Sequence, residues 1–282
     1  MQITSVLAGT FKLDGGAMFG IVPRVMWERI NPPDDRNLCT WAMRCLLVRT
    51  GDRVILMDTG IGEKQDARFR SHFHPSIPQV LGESLLSESV RPEEVTDVLL
   101  THLHFDHVGG AVCLDEQGKS RLRFPNATHW LSERQWRWAT ENPNPREAAS
   151  FLSENLLPLK DLARLEYLDP DNRHTDLEWL PGIRLRSLFG HTESMLMPVF
   201  ELENGGRAAY LADLMPSAGH VGLPYVMSYD IRPLDSIAEK ERLLDEALRE
   251  DWLLYFEHDP VNTSGRLTKD ERNRIVFGEL YR

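Results

Sequence analysis

Four potential metal ligands fall within six residues of this chain, in the His-x-His-x-Asp-His sequence of 102–107. The apolar run Val98-Leu99-Leu100 precedes it and predicts a buried strand, and the Asp-His-Val-Gly-Gly sequence predicts the start of the next helix. Sites in α/β proteins form just past the ends of such strands. The alternative is a set of satisfied polar groups at a buried turn. Charged imidazoles this close repel one another unless the site is neutralised, which favours metal binding.

The spacing within this cluster predicts two metal positions. Alternating residues of an extended loop point the same way, so His102 and His104 are expected to share one ion. Asp106 and His107 are then expected to turn toward a second. Imidazole and carboxylate ligands suit zinc, with manganese, iron or cobalt as alternatives.

Further ligands of the same type occur later in the chain. His191, Asp213 and His258 each follow an apolar, strand-like run, as the first cluster does. This agreement extends a local motif to a set of residues that can build one site.

In this pattern the chain resembles the metallo-β-lactamase superfamily, from about Val6 to His258. The resemblance is to the lactonase and phosphotriesterase-like branch, and it implies an α/β fold, a four-layer αβ/βα sandwich. It also includes Asp58-Thr59-Gly60 after an early strand. Asp58 is then expected to hold a ligand imidazole in the right tautomer, and Gly60 to permit the turn.

The resemblance implies a role for each ligand. The first ion is bound by His102, His104 and His191, the second by Asp106, His107 and His258, and Asp213 bridges the two. A hydroxide between two divalent ions is expected to attack a lactone or carboxylic ester. Asp106 and Asp213 are the predicted catalytic residues, with Asp106 or a metal-bound water as the candidate proton donor to the leaving group. Lactonase-like members often carry a Tyr three residues past the bridging Asp, and here that position is Pro216.

An early apolar segment is the best indication of substrate. Met18, Phe19 and Trp27 are expected to form one wall of a pocket, with His220 and Tyr225 reaching it from a later loop. Ordinary loop packing is the alternative for the last two. An apolar wall favours a neutral ester or lactone with an apolar tail, or a neutral phosphotriester, over a polyanion.

Composition restricts the class of partner. A net charge of −11 argues against nucleic acid, because nonspecific binding to phosphates requires clustered Lys and Arg. No apolar stretch is long enough for a membrane helix, and the N-terminus lacks the pattern of a signal peptide. We therefore predict a cytoplasmic enzyme with a small-molecule substrate, and a homodimer is left open. Cys39, Cys45 and Cys113 are expected to be small buried residues.

The domain prediction is one domain over 1–282, with 41% hydrophobic residues to supply its core. Residues 111–187 are expected to provide helices, near Glu133–Thr140 and Arg146–Leu157, that form a rim over the site. Leu234–Arg249 is predicted to be an amphipathic helix, with Lys240 on its polar side.

Several other functions remain as alternatives. Phosphotriester or phosphodiester hydrolysis ranks second and β-lactam hydrolysis third, because a fold does not specify a substrate. A di-iron redox protein is disfavoured, since a Glu commonly replaces the second His of its cluster and this chain has His104. A metal-binding module without catalysis is disfavoured by the complete ligand set.

Overall fold

The computed structural model describes residues 1–76, 80–168 and 176–282. The chain divides into two compact units, Met1–Phe11 with Ala42–Asp169 and Lys12–Trp41 with Pro170–Arg282. The predicted single domain stays a prediction.

The strands are β1 Gln2–Asp14, β2 Leu38–Thr50, β3 Arg53–Met57, β4 Asp97–Leu99, β5 Val112–Leu114, β6 Ser120–Leu122, β7 Thr128–Ser132, β8 Arg164–Leu168, β9 Leu177–Leu180, β10 Ile183–Leu188, β11 Met195–Glu201, β12 Arg207–Tyr210, β13 Leu253–Tyr255, β14 Ser264–Lys269 and β15 Ile275–Tyr281. Helices are α1 Gly15–Phe19, α2 Arg24–Trp27, α3 Ala67–Phe73, α4 Val80–Ser87, α5 Phe105–Val108, α6 Glu133–Thr140, α7 Ser153–Leu162 and α8 Pro233–Glu250.

In the first unit, a sheet of order β1-β2-β3-β4-β7-β8 carries the predicted ligand cluster. Its strands β3, β4, β7 and β8 are parallel neighbours. Parallel strands are covered on both faces, which explains why β4 is buried at every position. Because β3 and β4 run in the same direction, the segments that follow them leave the sheet at one edge.

The second unit contains a sheet of order β15-β14-β13-β12-β11-β10-β9. Its strands pair antiparallel except β12 with β13, which are parallel. A parallel pair needs a crossover connection, and α8 lies in that connection. The chain segments after β12 and β13, which contain Asp213 and His258, therefore start from the same edge of the sheet.

The predicted rim segment differs in part from expectation. The helix at Glu133–Thr140 is confirmed as α6. The helix predicted at Arg146–Leu157 is wrong in its bounds, since a short 3₁₀ turn at Ala148–Ser150 precedes α7 at Ser153–Leu162. Residues 169–175 of the predicted segment lie outside the described residues.

Helix α8 requires one correction. Leu243, Leu244 and Ala247 are buried as predicted, but Lys240, assigned to the polar side, is also buried. Its ammonium donates to the backbone oxygens of His220 at 3.0 Å, Gly222 at 2.8 Å and Tyr225 at 2.9 Å. A buried charge is tolerated when its donors are satisfied, and helical periodicity alone does not reveal such partners.

Two smaller predictions also have an outcome. The three cysteines are buried and form no disulfide, which confirms their predicted environment. Among the described residues, no helix combines the length and apolar character required to cross a membrane.

Candidate functional site

The first ligand cluster lies between β4 and the end of α5. His102 and His104 precede α5, and Asp106 and His107 belong to it. All four side chains are buried. The cluster is fixed to the segment after β3, because the backbone N–H of Thr59 donates to the His107 carbonyl at 2.7 Å.

Asp58 follows β3 and contacts this cluster directly. Its Oδ1 accepts from the Thr101 backbone N–H at 2.8 Å, and its Oδ2 accepts from the Thr101 hydroxyl at 2.7 Å. The Oδ2 atom also lies 3.2 Å from Nδ1 of His107. An Asp58 carboxylate accepts a hydrogen bond from Nδ1–H of His107, which leaves the lone pair of His107 Nε2 for a cation. Asp106 Oδ2 lies 3.8 Å from this Nε2.

The Thr101 hydroxyl also orients His102. It lies 3.1 Å from Nδ1 of His102, and its single proton is donated to Asp58. Toward His102 the hydroxyl oxygen therefore accepts, so Nδ1 carries the proton and Nε2 carries a lone pair. That Nε2 lies 3.0 Å from Nδ1 of His104. The opposite nitrogen of His104, Nε2, is 3.0 Å from Oε1 of Glu147.

In the second unit, Asp213 lies between two imidazoles. Its Oδ2 is 3.0 Å from Nε2 of His191, and its Oδ1 is 3.0 Å from Nε2 of His258. Each carboxylate oxygen thus meets a different histidine, as a bridging ligand requires. All three side chains are buried.

His191 lies in the loop between β10 and β11, and a second carboxylate faces its other nitrogen. Asp230 Oδ1 is 2.9 Å from Nδ1 of His191. Burial lowers the pKa of His191, but the carboxylates of Asp213 and Asp230 outweigh it and raise the pKa to about 10. The pair of carboxylates therefore favours positive charge at this imidazole. A divalent ion on Nε2 would supply that charge in place of the proton, so this donor set fits a metal.

The backbone beside these ligands is strained. Asp58 has φ 58°, and Ala212, directly before Asp213, has φ 43°. Ser194, three residues after His191, has φ 55°. A non-glycine residue in the left-handed region costs about 1 kcal/mol or more, which the surrounding structure must offset. Such strain clusters at functional sites, in agreement with the position of these three residues.

The predicted pocket residues form an aromatic cluster within the second unit. Phe19 stacks on Trp27 with centroids 5.4 Å apart and on His220 at 4.6 Å, and Tyr225 meets its edge at 6.3 Å. Met18, Phe19, Trp27 and His220 are buried, and Tyr225 is half-buried. Their predicted place in a substrate pocket stays a prediction.

His220 has a structural role in this cluster. Its Nδ1 lies 2.8 Å from the Ser217 hydroxyl, and its Nε2 lies 3.0 Å from the Met18 carbonyl. Since a carbonyl accepts, Nε2 carries the proton. Burial lowers the pKa of His220 to about 3. A neutral imidazole held on both nitrogens favours the loop-packing alternative over proton donation to a substrate.

Glu147 and Asp230 were missed from the sequence. Each is a buried carboxylate at a ring nitrogen of a predicted ligand, about forty residues away in sequence (43 for His104 and Glu147, 39 for His191 and Asp230). Both lie in loops that contain other acidic or polar residues, so no local pattern distinguishes them. Only the expectation that a ligand histidine needs a partner on its other nitrogen indicates that such residues exist.

Comparison with known proteins agrees with these features. The family model described as the metallo-beta-lactamase superfamily matches residues 44–182. An N-acyl homoserine lactonase of a Bacillus species is 23% identical over 263 residues, covering 89% of this chain and 90% of that protein. A second N-acyl homoserine lactonase, from Bacillus cereus, is 24% identical over 248 residues, with 84% and 87% covered.

Two solved structures are similar to this chain in fold. A crystal structure of a probable metal-dependent hydrolase from Staphylococcus aureus has a TM-score of 0.88 and 26% identity, covering 99% of this chain and 96% of that one. The dizinc quorum-quenching lactonase AidC, in complex with a product, has a TM-score of 0.76 and 20% identity, with 98% and 92% covered.

Proposed function

Because this chain belongs to the metallo-β-lactamase superfamily of hydrolases, we propose that it uses two divalent metal ions to cleave a lactone or carboxylic ester. Membership confirms the fold class predicted from the sequence, an αβ/βα sandwich. The lactonase relatives support a small-molecule substrate. The predicted cytoplasmic location and homodimer stay predictions.

The observation that carries the proposal is the Asp213 carboxylate, with one oxygen at His191 and the other at His258. Such an arrangement suits a bridge between two cations. In the first unit, the tautomers of His102 and His107 each present an Nε2 lone pair. We assign the first ion, most simply zinc, to His102, His104 and His191, the second to Asp106, His107 and His258, and the bridge to Asp213.

Two bound divalent ions would supply Lewis acidity and lower the pKa of water, so that a nucleophile exists at neutral pH. The residues of the chain hold this site in place. Asp58 and Asp230 accept hydrogen bonds from Nδ1–H of His107 and of His191, which fixes the orientation of both rings. Asp106 is our candidate to take up the proton released by the attacking water and to pass it to the leaving alkoxide. Pro216 occupies the position where lactonase-like members often have a Tyr, so that residue is not available here.

For the substrate we propose a lactone with an N-acyl chain. Two relatives are N-acyl homoserine lactonases, and they align with most of this chain. Met18, Phe19 and Trp27 form a buried apolar cluster, and its contact with an acyl chain stays a prediction. A net charge of −11 further disfavours a polyanionic substrate.

The test combines metal content with hydrolysis. The chain is purified without added metal, its bound ions are counted, and it is assayed on N-hexanoyl and N-decanoyl homoserine lactones, an aryl ester, a phosphotriester and a phosphodiester. We expect two ions per chain and faster turnover of the lactones. His104→Ala and Asp213→Ala are expected to lose metal and at least about 100-fold in rate. The exposed His72 provides a matched control, and His72→Ala should retain both.

Other outcomes would change the assignment. Absence of bound metal in the wild type, even after zinc is supplied, would remove the basis of the proposal. Turnover of the phosphotriester alone would favour the second-ranked function, phosphotriester hydrolysis. Full activity in Asp213→Ala would show that this carboxylate does not bridge the ions.

A further inference from the structure

We propose that Glu147 is a positioning residue that holds His104 in the tautomer whose Nδ1 can bind a metal ion. This inference rests on the proposed function, because it assumes that His104 is a ligand. Glu147 is 3% exposed, and its Oε1 lies 3.0 Å from Nε2 of His104. It comes from the loop between α6 and α7, outside the ligand motifs.

The other oxygen of Glu147 is held by two donors. Oε2 accepts from the indole N–H of Trp138 at 2.8 Å and from the side-chain amide of Asn144 at 3.0 Å. The orientation of that amide is fixed, because Oδ1 of Asn144 accepts from the backbone N–H of Arg146 at 3.0 Å. An indole nitrogen only donates, so both contacts require Oε2 to be an acceptor.

These donors determine the proton on His104. A Glu147 carboxylate accepts at Oε1 as well, so Nε2 of His104 carries the proton and Nδ1 carries a lone pair. This Nδ1 lies 3.0 Å from Nε2 of His102, which also presents a lone pair. Two lone pairs at this distance repel each other, and both are stabilised by a cation. The contact with Glu147 therefore prepares the pair of histidines for a shared ion.

The same loop also restricts the His104 ring by packing. Phe151 lies 5.3 Å from this ring between centroids, at an interplanar angle of 44°. A buried carboxylate is costly unless its oxygens are hydrogen-bonded, and here the three donors satisfy it. Glu147 thus links the orientation of His104 to Trp138 in α6.

Glu147→Gln is the informative variant because it keeps the shape of the side chain. Its amide has one accepting oxygen, which is needed by Trp138 and Asn144, so its NH₂ group faces His104. Nε2 of His104 must then accept, and the proton moves to Nδ1. We expect the inverted tautomer and metal affinity about 10–100-fold weaker. Glu141→Gln changes an exposed residue of the same loop and serves as the matched control.

Two measurements test whether Glu147 sets the tautomer of His104. Nitrogen-15 NMR of the metal-free protein, labelled at histidine, gives the tautomer of His104, and competition with a zinc indicator gives the affinity. Nε2–H in the wild type, Nδ1–H in Glu147→Gln and weaker zinc binding in that variant are expected. An Nδ1–H tautomer in the wild type would overturn the inference even if the variant did not fold, as would unchanged zinc affinity in a folded Glu147→Gln.

Failure of the proposed function would be distinguishable. If the wild type bound zinc but hydrolysed no lactone or ester, the substrate assignment would fail and the role of Glu147 would still be tested. If the wild type bound no zinc, the NMR result alone would decide whether Glu147 sets the tautomer.

Discussion

Replacement of His129 by Leu should make this protein more resistant to acid. His129 lies in β7 between Val98 of β4 and Leu165 of β8, and it is fully buried. Among the described residues, neither ring nitrogen makes a hydrogen bond of ordinary length. Burial lowers the pKa of His129 from 6.5 to about 4, and the nearby Ala127 backbone offsets this only in part.

The sign and size of the effect follow from this pKa. Below pH 6.5 the unfolded chain takes up a proton at His129 that the folded chain does not, so acid favours unfolding until the pH reaches about 4. At pH 5 the pH lies about one and a half units below the pKa of 6.5 that His129 has in the unfolded chain. This difference corresponds to about 2 kcal/mol of the free energy of unfolding. His129→Leu removes this cost and also two buried polar atoms. It should therefore gain about 2 kcal/mol relative to the wild type between pH 7.5 and pH 5.

Urea unfolding at a series of pH values measures this difference. The metal ligands are the same in both proteins, so their titration cancels in the comparison. His129→Gln is the matched control: it cannot titrate, so it should show the same pH-dependent gain, but it keeps a buried polar group and should be less stable throughout. A free-energy difference between His129→Leu and the wild type that stays constant from pH 7.5 to pH 5 would refute the argument.

Three further predictions concern other parts of the chain. Lys240→Met leaves three backbone carbonyls without their donor, so urea unfolding should show a loss of about 3 kcal/mol, whereas exposed Lys160→Met should change stability by less than about 0.5 kcal/mol. Gly190 directly precedes His191, and Gly190→Ala would place a Cβ 2.3 Å from the backbone nitrogen of Ser236, so this variant should bind less zinc. Gly82→Ala is the control, because its Cβ meets nothing within 4 Å and its zinc content should not change. Equal zinc content in the two variants would contradict the prediction. Chelation of metal should lower the thermal unfolding temperature and added zinc should restore it, because an ion that binds only the folded chain stabilises it; an unchanged temperature would count against a bound ion.

The proposed ligands were predictable because their signals are local. The cluster of 102–107 lies within six residues after an apolar run, and the structure places it after β4. His191, Asp213 and His258 follow strands in the same way, and the structure brings these three together. Strand-end positions are visible in sequence because apolar runs stop where the polar residues begin.

Lys240 shows where local patterns fail. A charged residue on a helix normally faces solvent, and the 3.6-residue period gave no reason to expect otherwise. Its burial depends on three carbonyls of a loop 15–20 residues earlier in the chain. Glu239, its neighbour in α8, similarly accepts from the backbone N–H groups of Phe189 and Gly190. Contacts of this kind exist only once the loops are folded.

The sequence by itself determined which donor atoms are present and in what order, because residue type and spacing are local properties. Tertiary structure alone decided which nitrogen of each histidine carries the proton. Asp58 and Glu147 make that choice for His107 and His104, and Asp230 holds Nδ1–H of His191; each carboxylate comes from a segment 39 to 49 residues away. A tautomer is set by the hydrogen-bond partner of the opposite nitrogen, and that partner is brought within reach only by the packing of distant loops.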